Sequence, residues 1–160
     1  MVAQGMELIA PLDDITVMGF DGLWSKLGSI LRLRAALQLR YKTDKPTAFI
    51  GIDAPDFNLK LEVKLRGAGV KTVHYVSPTV WAWREYRLKT IKRACDLMLT
   101  LFPFEEQYYQ KNNIPVTCVG HPLASELSEL SSGTDAVALR ESLGAGGKLL
   151  IAIMPGSRRS

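Results

Sequence analysis

The amino-acid sequence predicts an α/β fold in which helices flank a parallel sheet. The first observation behind this prediction is that, from Lys45 onward, short β-branched runs alternate with segments of helical periodicity. The second is the composition of the 160 residues, which are 47% hydrophobic and 22% charged, as in an ordinary soluble domain with a core. This composition excludes disordered, collagen-like and disulfide-stapled proteins.

Apolar runs bounded by Gly, Pro, Asn or Asp predict the strands, and apolar residues at three- and four-residue spacing predict the helices. The helix after the first strand, for example, has Phe57, Leu61 and Leu65 on one face and ends at Gly69. The predicted strands are residues 47–52, 70–77, 96–102 and 116–119, and the predicted helices between them are residues 57–68, 84–94 and 103–112.

The C-terminal part of the sequence predicts a change of domain. Residues 1–124 form the first predicted domain, and the polar, Ser-rich residues 125–134 form a predicted linker. Residues 135–160 have the pattern of the start of a second domain, because a short helix capped by Thr134 precedes an apolar strand over residues 148–154.

The net charge of +4 is unevenly distributed along the chain. Residues 22–95 carry 15 Lys and Arg against five acids, whereas residues 1–21 carry four acids and no base. This basic segment indicates either an anionic partner or a set of solvated helix faces, and charge alone leaves both open. Nucleic acid is not the predicted partner, since the basic residues lie among aliphatic helix positions rather than beside aromatic stacking platforms.

Cysteine, metal and membrane-span signals are sparse. Cys95 and Cys118 lie far apart, which favours reduced thiols in a cytoplasmic protein. The sequence has no HExxH pattern, no other His/Asp cluster at metal spacing, and no Walker or GxGxxG motif, so we expect no bound metal and no cofactor. No run approaches the roughly 18 apolar residues of a membrane-spanning helix.

Residues 17–40 have the pattern of a basic amphipathic helix. Such a helix either lies on an anionic membrane surface or packs in a core, and the pattern leaves both open. For the membrane alternative we expect the apolar face to be largely accessible to solvent. The residues predicted to meet the membrane are Phe20, Leu23, Trp24 and Leu27 on the apolar face, with Lys26, Arg32 and Arg34 near lipid phosphates.

Two carboxylates follow the first predicted strand, at the strand end where ligands of parallel α/β sheets bind. Both carboxylates are placed for acid–base catalysis, and Asp53 has less structural reason than Asp56 to be there, although spacing alone leaves a catalytic and a structural role of Asp53 equally open. Asp56 stands at the start of a predicted helix and is expected mainly to cap that helix. His74 lies within the second strand and is expected to be a buried histidine with satisfied hydrogen bonds rather than a base.

Later strand-end segments carry further candidate binding residues. Trp81 and Trp83 follow the second strand, where tryptophans stack on a ring or contact acyl chains, although packing in a core or lid is the commoner role. His121 lies in another strand-end loop, with no partner fixed by the sequence. Ser157 and Arg158 belong to a turn that can cradle a phosphate through backbone N–H groups and the guanidinium.

Five strings of residues occur here in the order found in one enzyme family. They are residues 50–58 (IGIDAPDFN), 74–83 (HYVSPTVWAW), 102–105 (FPFE), 119–122 (VGHP) and 155–158 (PGSR). On these strings the sequence resembles the lipid-A-disaccharide synthases over nearly the whole chain. The resemblance implies a Rossmann-like N-terminal domain of a GT-B-type inverting glycosyltransferase, with the first strand of a second domain at the C-terminus.

The resemblance also implies a reaction and its site residues. The family transfers diacylglucosamine from its UDP derivative to the 6-hydroxyl of diacylglucosamine 1-phosphate and releases UDP. Asp53 matches the family's essential aspartate, the implied base, and Arg158 matches an arginine implied to anchor phosphate. The other substrate-binding residues expected in the matching strings are Asp56, Asn58, Ser77, Trp81, Trp83, His121 and Ser157. Residues 17–40 match a membrane-facing patch, which implies a cytoplasmic protein on the inner face of the cytoplasmic membrane.

The sequence departs from the family pattern at both ends. It contains neither the family's first strand with a GExSGD loop nor the second domain that binds the UDP of the donor. We therefore expect an incomplete acceptor-side domain and no transfer by these 160 residues alone. Two alternatives stay open. One is a non-catalytic, membrane-associating remnant of the fold. The other is a different nucleotide-sugar enzyme such as an epimerase, but Trp24, Trp81 and Trp83 disfavour it because these residues suit acyl chains.

Overall fold

A computed structural model of the chain describes residues 5, 7–9, 23–81, 85–132 and 135–154. The chain divides into two compact units, Met1–Gly120 and His121–Ser160. The first unit contains the sheet and the loop that carries Asp53.

The first unit is the parallel α/β domain that the periodicity predicts. In chain order its elements are α1 Leu23–Thr43, β1 Ala48–Ile52, α2 Pro55–Arg66, β2 Lys71–Tyr75, a 3-10 turn Glu85–Arg87, α3 Leu88–Ala94, β3 Leu97–Thr100, α4 Pro103–Lys111 and β4 Val116–Cys118. The four strands are hydrogen-bonded in the order β1-β2-β3-β4, and every pairing is parallel. This order brings the carboxyl ends of β1 and β2 side by side.

Helix α1 packs one face in the core and leaves other apolar residues open to solvent. Ile30, Leu33 and Leu37 pack against a buried cluster on α2, so this face belongs to the core. Leu27 and Leu31 are 41% and 46% exposed, so the expected accessibility of Leu27 is confirmed. Among the described residues, no helix combines the length and hydropathy needed to cross a membrane.

A fully buried polar pair lies inside the domain. Oε1 of Glu62 on α2 lies 2.8 Å from Nδ1 of His74 on β2, and both side chains are inaccessible to solvent. The thiol of Cys95 donates to the other oxygen of Glu62 at 3.6 Å. Burial, together with the carboxyl group of Glu62, raises the pKa of Cys95. His74 is buried, as predicted, but its hydrogen bonding is only partly satisfied, because Nε2 has no partner among the described residues.

Asp96 joins the ends of three elements through hydrogen bonds. Its carboxylate accepts from the amide of Thr72 at 2.9 Å, at the start of β2, and from Nε of Arg66 at 3.0 Å, at the end of α2. Partial burial alone would raise the pKa of Asp96, but the Thr72 hydrogen bonds and the Arg66 charge lower it below its usual value.

We expect Asp96→Asn to lower the free energy of unfolding at pH 7 by about 1–2 kcal/mol, because the neutral amide loses its charge-assisted bonds at a partly exposed site. The folded-state pKa lies below the unfolded one, so the contribution of the charge is complete above about pH 4. It is lost as the pH falls through the folded pKa. Urea unfolding between pH 2 and 7 should therefore show the two proteins converging in acid. A difference that is constant over this range would contradict the assignment.

The second unit contains α5 Pro122–Ser132 and α6 Ala136–Ser142. Helix α5 covers most of the segment predicted as a polar linker, since Ser and Glu do not prevent a helix when Leu residues recur along it. Asp135, rather than Thr134, caps α6, because its carboxylate accepts from the amides of Val137 and Ala138; Thr134 itself lies outside the described residues.

The apolar segment at residues 148–154 differs from its prediction. Its described residues form no strand, and Leu149, Ile153 and Met154 are each more than four-fifths exposed. A strand needs a neighbouring strand for its ladder of hydrogen bonds, and the described part of this unit contains no such neighbour. Hydropathy alone therefore overstated the local order here.

Candidate functional site

The candidate site begins at the turn that follows β1. Asp53 and Ala54 both adopt the left-handed backbone conformation, with φ of 49° and 42°, which is costly for residues that carry a Cβ. The amide of Asp53 donates to the carbonyl of Tyr75 at 2.8 Å. Nδ2 of Asn58 donates to the carbonyls of Ile52 and Asp53 at 3.2 and 2.8 Å. Backbone strain that is held in place by such contacts is typical of functional sites.

Asn58 thus supports the Asp53 loop. Only 8% of the residue is exposed, and its amide nitrogen is engaged by two backbone carbonyls. These bonds help to compensate for the unfavourable conformation of the loop, so Asn58 holds the backbone that carries Asp53. A direct contact between Asn58 and a substrate stays a prediction.

The facing wall of the site is the turn that follows β2. Val76 is also left-handed, with φ of 74°, and Oγ of Ser77 lies 2.9 Å from the hydroxyl of Tyr109. Tyr109 is fully buried, and burial raises its pKa, so it remains a neutral phenol that fixes Ser77. The two turns enclose a cleft of about 380 Å³. Its polar lining consists of Asp53, Asp56, Ser77, Thr79 and Arg87.

Asp56 has a different role from the predicted helix cap. Helix α2 begins at Pro55, with Ala54 at the capping position and no side-chain cap. The Asp56 carboxylate instead accepts a hydrogen bond from Nη2 of Arg87 at 2.7 Å. The prediction of capping is therefore wrong, because the helix starts one residue too early for the Asp56 side chain to reach its first free amides.

Arg87 is the cleft residue that the sequence analysis missed. Its side chain is 14% exposed, whereas that of Asp56 is 80% exposed. Burial alone would lower the pKa of Arg87, but hydrogen bonds to Tyr86 and Asp56 raise it above its usual value. The guanidinium is therefore a permanent positive charge in the cleft. The one sequence signal for Arg87 was its position shortly after residues 81–83 (WAW). The helical periodicity assigned Arg87 only to a basic helix.

An exposed aromatic cluster stands near the end of β3. Trp81 meets Phe104 edge-to-face with ring centroids 5.0 Å apart, and Phe102 stacks on Phe104 at 5.9 Å. The three residues are between 43% and 49% exposed. Aromatic surface that stays open to water in this way is suited to an apolar ligand.

Comparison with known proteins decides the family. The sequence model described as lipid-A-disaccharide synthetase matches residues 1–160, the whole chain. The chain belongs to this family. Proteins named lipid-A-disaccharide synthase are similar to it in Pseudomonas putida strain W619 (48% identical over 158 residues), Colwellia psychrerythraea strain 34H (48% over 159) and Saccharophagus degradans strain 2-40 (50% over 161). Each match covers 99% of this chain and 40–41% of the relative. The chain therefore spans about two fifths of the length of these curated relatives.

The structure brings together some of the residues that the lipid-A-disaccharide synthase resemblance implies. Asp53, Asp56 and Ser77 share the cleft. His121 lies in the second unit, where its Nδ1 accepts from the amide of Leu123 at 3.2 Å. Four implied residues lie outside the described part of the chain, namely Phe20, Trp83, Ser157 and Arg158, and so do the side chains of Leu23, Trp24 and Lys26. Arg32 is exposed on α1, and Arg34 is half-buried.

Proposed function

We propose that this chain provides the acceptor-side part of a lipid-A-disaccharide synthase. The proposed reaction transfers diacylglucosamine from its UDP derivative to the 6-hydroxyl of diacylglucosamine 1-phosphate and releases UDP. The observation that carries the proposal is an exposed aspartate, Asp53, at an open strand-end cleft in a chain that matches the family model throughout. The GT-B architecture of the whole enzyme is part of the same proposal.

Asp53 is the proposed general base. Its carboxylate is exposed at the cleft, and it forms no ion pair with any described residue. In the proposed step, a carboxylate oxygen of Asp53 takes the proton of the 6-hydroxyl as the hydroxyl oxygen attacks the anomeric carbon of the donor. The bond from that carbon to the diphosphate breaks, and UDP leaves with the electron pair. Attack on the face opposite the leaving group gives the inverted, β-linked disaccharide.

The polar residues around Asp53 are proposed to orient the sugar of the acceptor. Asp56 and Arg87 form a pair that can accept and donate hydrogen bonds to neighbouring hydroxyls, and Tyr109 holds Ser77 for the same purpose. Arg158 is proposed to bind a phosphate of the substrates, as the family motif implies, and Ser157 and His121 are proposed to bind substrate. No metal or other cofactor is proposed, since arginine side chains can bind the diphosphate and UDP-sugar is itself a substrate.

The aromatic cluster of Trp81, Phe102 and Phe104 is proposed to contact acyl chains of the lipid substrates. Trp83, which lies outside the described residues, is proposed to contact them too, since tryptophan suits acyl chains. Burial of apolar surface contributes about 25 cal/mol per Å², so three half-exposed rings offer substantial binding energy to a hydrocarbon chain. A sugar without acyl chains would leave these rings in water. The cluster therefore favours a lipid-linked substrate over a simple nucleotide sugar.

Helix α1 is proposed to place the domain on the inner face of the cytoplasmic membrane. Leu27 and Leu31 are exposed, and Arg32 lies one residue beyond Leu31. Exposed leucines beside basic residues are the pattern of a helix that lies in an anionic interface. Residues Phe20, Leu23, Trp24 and Lys26 extend the same pattern towards the N-terminus. The protein is thus proposed to be cytoplasmic and peripheral, with no nucleic-acid partner.

The test of the transferase proposal is a chimeric enzyme. Residues 1–160 replace the matching segment of the Pseudomonas putida strain W619 relative, which keeps the remainder of that protein around them. We expect the chimera to form acylated disaccharide 1-phosphate from the two acylated glucosamine substrates, with the product and UDP measured by mass spectrometry. The unaltered relative is the positive control.

A folded chimera that forms no product, beside an active relative, would contradict the transferase proposal. That outcome would favour the alternative in which the chain kept the fold and membrane association of the family but lost its chemistry. Circular dichroism of the chimera separates this outcome from misfolding, because a misfolded chimera would lose its helical signal.

A further inference from the structure

A second cleft, apart from the one at Asp53, lies among α1, α2 and α3. It has a volume of about 510 Å³. Its walls carry four cationic side chains and no carboxylate: Arg34 on α1, Lys60 and Lys64 on α2, and Arg93 on α3. Lys60 and Lys64 are four residues apart on one helix and therefore lie on the same face. We refer to this feature as the basic cleft.

The cations of the basic cleft differ in their ion pairing from other arginines of the domain. Arg40, Arg66 and Arg87 each form an ion pair with a carboxylate. No such pair involves Arg34, Lys60, Lys64 or Arg93 within the described ranges of the chain. Like charges gathered without a counter-charge repel one another, so an anion bound among them is favoured.

The lining of the basic cleft also includes apolar side chains. They belong to Leu31 and Ala35 of α1 and to Val63 of α2, and Leu31 is 46% exposed. Leu27 is exposed one turn earlier on the same helix. A free phosphate ion needs only the cations, whereas a phospholipid headgroup carries a phosphate beside hydrocarbon. The combination of cations with exposed leucines fits the phospholipid.

We propose that the basic cleft binds the phosphate of an anionic phospholipid headgroup at the membrane surface. This inference rests on the proposed membrane association, which supplies the lipid. It adds the class of the lipid and the residues that bind its phosphate. Lys60, Lys64 and Arg93 are the contacts that the amphipathic pattern of α1 did not predict.

The basic cleft also relates to the candidate active site. A smaller depression of about 180 Å³ shares Asp56 and Arg87 with the Asp53 cleft, and shares Lys60 and Thr90 with the basic cleft. The three depressions therefore follow one continuous surface of the domain. A headgroup in the basic cleft holds the Asp53 cleft close to the bilayer surface, from which an acylated acceptor is drawn.

The test compares two triple variants of equal charge by sedimentation with vesicles. The cleft variant carries Lys60→Gln, Lys64→Gln and Arg93→Gln, all at exposed positions. The control variant carries Lys45→Gln, Lys71→Gln and Lys111→Gln, which are exposed near the starts of strands β1, β2 and β4, at the opposite edge of the sheet from Asp53. The vesicles contain phosphatidylcholine alone or with phosphatidylglycerol, and circular dichroism checks that both variants are folded.

We expect the unaltered chain and the control variant to sediment with phosphatidylglycerol vesicles at low salt, and less so as salt screens the charges. The cleft variant should bind these vesicles about tenfold or more weakly. Inorganic phosphate should release the unaltered chain more effectively than sodium chloride at matched ionic strength, because it competes for the cleft.

Equal weakening of the two triple variants would overturn the proposal, since only net charge would then matter. Saturable binding of inorganic phosphate without binding to vesicles would also overturn it and assign the cleft to a free anion. An unaltered chain that stays in the supernatant would contradict the membrane association as well. None of these outcomes bears on sugar transfer, which the chimera measures separately.

Discussion

Asp53→Asn in the chimeric enzyme is expected to lower kcat by about 100-fold or more, the usual scale for the loss of a general base. The substitution should leave the fold unchanged, because Asn has almost the same shape and tolerates the left-handed conformation that this position adopts. KM should change little, since an amide can still hydrogen-bond to the acceptor hydroxyl but cannot take its proton. Steady-state kinetics with both acylated substrates, together with thermal unfolding of each protein, measure the effect.

Asp56→Asn is the matched control for this experiment. Asp56 lines the same cleft, but its carboxylate is bound to Arg87 at 2.7 Å. We expect this variant to raise KM more than it lowers kcat, because the Asp56–Arg87 pair is proposed to orient the sugar rather than to move a proton. Near-normal turnover in Asp53→Asn would place the base elsewhere, with Asp56 and His121 as the next candidates. A large loss of kcat in Asp56→Asn alone would identify Asp56.

The elements of the fold that the sequence predicted are those determined by residues close together in the chain. Pro55 and Pro103 begin helices that were predicted to start there or close by, and the β-branched runs form the strands in parallel order. Asp53 was placed correctly at a strand end, because the end of a parallel strand follows directly from the pattern. Its role as a base is still a prediction.

The parts that the sequence did not predict depend on contacts between distant residues. Arg87 lies 31 positions from Asp56, and no spacing rule connects them. The periodicity of α1 identified an apolar helix but not which leucines face α2 and which face water, since that depends on where α2 packs. Asn58 was assigned to substrate because it belongs to a motif, whereas its two bonds to backbone carbonyls required the fold.

Gly51→Ala is expected to lower the free energy of unfolding by about 2–4 kcal/mol, the range for overpacking a core and disturbing a buried hydrogen bond. Gly51 is buried on β1, opposite His74 in the sheet. A Cβ at this position would overlap with Oε1 of Glu62 and would lie 3.1 Å from Cβ and Cγ of Asn58. Glu62 has no free space to move into, because it is fully buried and bound to His74. Urea unfolding at pH 7 measures the loss.

Gly28→Ala is the control, because it makes the same chemical change where there is room. Gly28 lies in α1, and a Cβ there would have no atom within 4 Å. Ala is a better helix former than Gly by about 1 kcal/mol, so this variant should be as stable as the unaltered chain or more so. In the chimera, Gly51→Ala should also lower kcat, since displaced Asn58 no longer holds the Asp53 loop. Equal stability of the two variants would show that Glu62 and Asn58 can shift without cost, and the position of Asn58 would then not be what fixes the Asp53 loop.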